Sequence, residues 1–210
     1  MRRFAIGLCA ASLVTALSPI GLAPAAAQVA ATQADAVAAG QFVGQLADRV
    51  FAVLKETSSK EAIKTKFRGM LRDNFAVDDA GARLIRRYRS QITPAQLSAY
   101  QAVLPAYIVN IYADRLINYS DAEVKIVRTA PRGTRGDVDV FSRVSTPGKQ
   151  PFDMIWAVQK TPSGKFLINN VTVSGVNLSL TQEADFSAFI AKNGFDALVA
   201  MMKSANSRAT

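Results

Sequence analysis

The spacing of apolar residues changes period once along the chain, near Tyr119, and that change divides a helical part from a sheet part. Val43, Leu46, Val50, Phe51 and Leu54 recur at helical spacing, and Ile63, Phe67, Met70 and Leu71 resume the pattern after Thr57-Ser58-Ser59. A further helix is predicted over 80–88, with Leu84, Ile85 and Tyr88 as its apolar stripe. Thr93-Pro94-Ala95-Gln96 then supplies an N-cap threonine, a proline at the first helical position and the glutamine of a capping box. The helix it opens runs to about Tyr119. Across 103–113 only Pro105 and Asn110 interrupt the apolar residues, which predicts burial on several sides. Pro105 lies more than a turn inside, where the loss of a backbone donor predicts a kink or a split.

Past Tyr119 the apolar residues alternate. Val124 and Ile126, then Val138 and Val140, then Phe152, Met154, Trp156 and Val158 fall on every second position, as in strands with one buried face. Turns are supplied by residues 131–136, by Pro147-Gly148 and by Pro162-Ser163-Gly164. A strand over 152–160, a second over 165–173, a bend at Gly175-Val176-Asn177 and two helices divided at Asn193-Gly194 complete the reading. The expected class is α+β: N-terminal helices, an antiparallel sheet of about four strands and two C-terminal helices, enclosing an apolar cavity in the manner of an NTF2-like cone. Without strand–helix alternation there is no parallel nucleotide-binding sheet. Residues 28–40 are alanine-rich without clear periodicity and are expected to form a flexible lead-in, leaving 41–205 as a single domain.

The N-terminus alters where this domain is expected to work. Arg2 and Arg3 precede an apolar run over 4–17, and Ala25-Ala26-Ala27 ends the segment, the three parts of a secretory signal peptide over 1–27. The run is well short of the ~20 residues of a membrane span. Cleavage before Gln28 removes two arginines and Cys9, leaving 183 residues with 23 basic and 16 acidic side chains, a formal charge of +7.

That mature chain contains neither histidine nor cysteine. Histidine-assisted nucleophiles, imidazole metal sites, thiolate chemistry and disulfides are therefore excluded, and no metal or cofactor is expected. The usual phosphate-loop, dinucleotide, zinc-protease and nucleophile-elbow motifs do not occur. Carboxylates remain: Asp153 lies opposite Met154 and Trp156, while Asp137 and Asp139 lie opposite Val138 and Val140. An NTF2-like enzyme with Asp153 or Asp139 as general base is the catalytic alternative; alternation favours solvent-side strand residues. Arg135-Gly136-Asp137 reads as turn chemistry.

Basic residues concentrate over 60–89, nine against four acidic ones, and include Arg83, Arg86, Arg87 and Arg89. These four are the candidate docking surface for anionic headgroups or an acidic protein patch. Nucleic acid is disfavoured, because no aromatic and basic residues interleave on the strands. The apolar surplus of the 94–119 helix and of the 152–158 strand points to a lined cavity, for which Tyr107, Ile111, Ile155, Ala157, Val171 and Val173 are the candidate lining residues.

Thr93-Pro94-Ala95-Gln96 with Ala99-Tyr100, Tyr107, Tyr112, Leu116 and Tyr119 resembles the MlaC-like toluene-tolerance family of periplasmic phospholipid-binding proteins. So do residues 173–178, Asp185-Phe186 and residues 193–198, the likeness spanning about 47–203. Arg86 and Gln182 depart from the family pattern, where glycine and a basic residue are common. The resemblance implies an MlaC-like fold and a periplasmic shuttle carrying phospholipid, or hopanoid in a related branch, between the outer and inner membranes. Its implied partners are an inner-membrane ABC transporter complex and an outer-membrane lipoprotein complex. It implies a role in outer-membrane lipid asymmetry and no catalytic group.

Overall fold

A computed structural model of the chain describes residues 31–56, 59–133 and 136–208. The leader over 1–27 and Arg135 of the Arg-Gly-Asp tripeptide lie outside them. Six helices and five strands follow in the order α1 (Gln33–Glu56), α2 (Lys60–Asn74), α3 (Val77–Leu84), α4 (Pro94–Ile117), β1 (Glu123–Arg132), β2 (Asp137–Ser145), β3 (Phe152–Lys160), β4 (Phe166–Val173), β5 (Val176–Asn177), α5 (Leu178–Asn193) and α6 (Phe195–Arg208). The strands form one antiparallel meander in sequence order. This is the expected α+β class, with a two-residue fifth strand added at the bend.

Of the stretch expected as a flexible lead-in, 28–40, residues 28–30 lie outside the described ones and most of the rest is helical. From Gln33 onward it is the start of α1, and Ala36 and Ala39 are fully buried. Thr32 and Asp35 form a reciprocal cap: the Thr32 backbone N–H and hydroxyl both donate to Asp35 Oδ2, and the Asp35 N–H donates to Thr32 Oγ1. The small residues serve close approach. A Cβ on Gly40 would lie 3.0 Å from Thr129 Cγ2 of β1, so α1 rides directly on the sheet. Val43 and Leu46 then pack with Val138, Val140, Val158 and Ile168, each full burial contributing about 1.5–3 kcal/mol.

Two other clusters hold the helical layer. Tyr100 and Leu104 of α4 join Leu84, Ile85, Phe186, Ile190, Phe195, Leu198, Val199 and Met202, while Val109 and Ala113 of the same helix join Val53, Leu54, Ile63 and Phe67. As its composition requires, α4 buries several sides. Its capping box is made as expected: the Thr93 N–H donates to Gln96 Oε1 at 2.9 Å and the Gln96 N–H to Thr93 Oγ1 at 3.2 Å. Pro105 does not split α4, which runs unbroken through it. The helix expected over 80–88 begins earlier and ends at Leu84, because Asp78 and Asp79 favour its first turn; residues 85–91 follow as turns.

Candidate functional site

Which side chains share a sheet face follows from the strand register. Trp156 pairs with Val140 and Val171, and Met154 with Ser142 and Val173. These residues lie on the face that α1 covers, where Trp156 and Val171 pack against the buried sheet cluster and Trp156 Nε1 donates to Ser142 Oγ at 2.9 Å. Ile155 pairs instead with Phe141 and Thr172, and Ala157 with Asp139 and Asn170. Directly opposed residues project on one side of a sheet, so Ile155 and Ala157 sit on the outer face and cannot line one site with Val171 and Val173. Met154 and Trp156, of opposite parity, occupy the inward positions.

That outer face is charged. Arg143 Nε and Nη2 donate to the two carboxylate oxygens of Asp153 at 2.8 and 3.0 Å, and Arg132 Nε donates to Asp139 at 2.9 Å. The hydrogen bond from Arg143 holds the Asp153 carboxyl below the usual range. A general base for proton abstraction near neutrality needs the opposite shift. Arg128 lies 3.3 Å above the Phe141 ring, covering the aromatic at the centre of this face.

Between sheet and helices the side chains are less completely covered. Tyr107, Ile111, Met154, Trp156, Val171 and Val173 are all half-buried, whereas the three clusters on either side contain residues at or near zero exposure. None of those clusters joins α4 to a strand. Tyr107 and Ile111 are one turn apart on α4 and so share a stripe. The Tyr107 ring packs 6.0 Å from Phe186, and burial, reinforced by Asp185 and Tyr112, raises its phenol so that it stays protonated. At the far end of α4 the layers touch through Tyr119 and Phe152, 5.7 Å apart edge to face. The half-buried apolar residues of α4 and those of the inward sheet face thus belong to no shared closed core.

Two open clefts lie on the helical surface, and neither is the apolar chamber expected from the sequence. One, of about 450 Å³, is lined by Arg49, Val53, Lys66, Gly69, Met70, Asp73 and Asn74. The other, of about 460 Å³, lies between the turns after α3 and helix α5, with Arg86, Arg87 and Tyr88 on one wall. The four docking arginines separate accordingly. Arg83 turns to the sheet, its Nη2 donating to the Asn169 carbonyl at 2.9 Å, where a bulge in β4 opposite Ala157 and Val158 frees that carbonyl. Arg86 and Arg87 both face Glu183, at 2.8 and 3.9 Å, and Arg89 is exposed. Sequence reasoning missed Glu183, since its partners are about a hundred positions away. Among the described residues no group of acids could hold a metal ion, and no helix is long and apolar enough to cross a membrane.

A family model described as MlaC protein matches residues 44–204. Among solved structures, the chain is similar to a phospholipid-binding protein from Ralstonia solanacearum, determined in complex with a phospholipid. The TM-score is 0.68 at 24% identity, over 81% of this chain and 98% of that one. At that identity the likeness shows a shared fold.

Proposed function

Because the chain belongs to the MlaC protein family, we propose that it is an exported lipid carrier that takes acyl chains into the seam between its sheet and α4. The observation that carries this reading is that Tyr107 and Ile111 of α4, and Met154, Trp156, Val171 and Val173 on the inward face of the sheet, stay half-buried while the closed cores lie elsewhere. Apolar positions that a solid core would cover completely are left to be covered by a ligand. Exposing an acyl chain to water costs ~0.8 kcal/mol per methylene, so lipid crosses an aqueous space only if something shelters it. A sheltering protein needs hydrocarbon contact and no acid–base group, which matches a mature chain without histidine or cysteine.

The cargo is a phospholipid, as in the solved relative's complex, with hopanoid the variant that the same seam accommodates. The site of action is the periplasm, in keeping with the leader over 1–27, and the chain works as the soluble component of an ABC-type transport system between an outer-membrane lipoprotein complex and an inner-membrane transporter. The reading makes no use of an enzyme activity: Asp153 and Asp139 are engaged by arginines on the outer face. Mass spectrometry of organic extracts from the purified mature protein tests the proposal. Phospholipid at near-stoichiometric amounts is the expected result. A protein that is free of lipid and takes none from vesicles overturns it.

A further inference from the structure

The cleft beside α5 has a composition that lipid carriage leaves unused. Its floor is formed by Leu180, Ala184, Ala188 and Ala191 of α5, all exposed, with Leu180 at 57%. Their spacing of three and four residues places them on one helix face. Its rim is formed by Arg86 and Arg87, whose side chains are 63% and 71% exposed. The two guanidiniums share one carboxylate, that of Glu183, which is 7% exposed. The rim therefore keeps one positive charge in excess beside a strip of small apolar side chains.

We infer that this cleft seats an acidic helical segment of a partner protein. Alanine side chains let a second helix approach closely, since interaxial distance is set by the side chains at the contact. Arginine presents a planar fork that matches a carboxylate through two parallel hydrogen bonds, so acidic residues beside the apolar ridge of the incoming helix meet Arg86 and Arg87. A bilayer is the poorer match: it does not fill a concave cleft of about 460 Å³, and alanines offer no bulky group to insert among lipids. A second copy of this chain sets Arg86 and Arg87 against their own equivalents in a strongly basic protein, a like-charge contact that disfavours association. The inference rests on the carrier reading only for the partner's role, that of a membrane complex receiving or delivering cargo.

A photocrosslinking phenylalanine derivative in place of Ala188, in the full chain exported by the cells that make it, tests the assignment. Sequencing of the crosslinked peptide is expected to show a helical partner segment with a net negative charge. The yield is expected to fall about tenfold or more on Ala184→Glu, by like-charge repulsion, and less on Ala184→Lys, which has similar bulk and the opposite sign. Both changes lie at an exposed helix position, and circular dichroism checks that they fold. A crosslink to lipid alone, to another copy of the chain, to a segment without acidic excess, or to nothing overturns the inference. So does binding to phosphatidylglycerol vesicles that Ala184→Glu abolishes without any protein crosslink. Lipid extracted from the same preparations is expected to be unchanged by either substitution. Its absence from the unsubstituted protein defeats the carrier reading and leaves the crosslink result standing.

Discussion

The Tyr100 hydroxyl donates a 3.0 Å hydrogen bond to the Gly81 carbonyl, tying α4 to α3 inside the helical core. Tyr100 is fully buried, and a Cβ on Gly81 would come within 2.6 Å of Leu104 Cδ2, a side chain itself only 2% exposed. Gly81→Ala adds up to about 1 kcal/mol of helix propensity, but the overpacking it forces costs about 1–3 kcal/mol. The expected net result is destabilisation, read from urea midpoints. Tyr100→Phe leaves the carbonyl unpaired and is expected to cost about 1 kcal/mol. Desolvation raises the Tyr100 phenol far above its usual value of 10.0. The unfolded chain thus releases this proton first, and stability is expected to fall as pH rises above 10, a slope that Tyr100→Phe reduces.

Gly40 makes the equivalent contact on the sheet side, 3.0 Å from Thr129 Cγ2 for an added Cβ. Gly40→Leu is expected to push α1 off β1 and cost about 1–3 kcal/mol. Thermal melts measure it, and an unchanged melting temperature would contradict the close seating of α1.

Asp35 holds the first turn of that helix. Hydrogen bonding, first from Lys160 and then from Thr32, lowers its carboxyl from 3.8 to about 2, and Lys160 Nζ lies 2.7 Å from Asp35 Oδ1. A lowered carboxyl contributes stability above pH 3.8 that is lost as pH falls through about 2. Acid unfolding followed between pH 5 and pH 1.5 is expected to be shallower for Asp35→Asn than for the unsubstituted protein, the variant being the less stable of the two at pH 5.

Face assignment gives a direct test of the seam. Val173→Asp or Ile111→Asp places a charge against hydrocarbon, costing several kcal/mol, and is expected to lower lipid affinity about tenfold or more in vesicle-extraction assays. Ala157→Asp, on the outer face, is expected to leave it unchanged. Equal losses from both faces would remove the seam as the binding site.

Local chemistry wrote much of this fold openly. The Thr93 capping box, the strand alternation and the glycine at 194, with φ of 84° after α5, all act over a few residues and were readable as such. The start of α1 was not read, because the alanines behind Thr32 gave no periodic stripe; small side chains there serve closeness to β1 and not bulk. The docking arginines were visible as a charge cluster, but not the division of labour among them. Arg83 serves the sheet through a β4 bulge, and Arg86 serves Glu183 across 97 positions.

By itself the sequence determined the helix and strand periods, the class of fold and a chemistry without histidine and with no cysteine past Cys9, since these follow from residue type and near-neighbour spacing. Only the tertiary structure decided which parity of β3 faces inward, that α1 begins at Gln33, and which arginines turn to the sheet and which to Glu183. Those depend on what each side chain meets from distant parts of the chain: register sets the face, and packing distance sets whether glycine or alanine is needed.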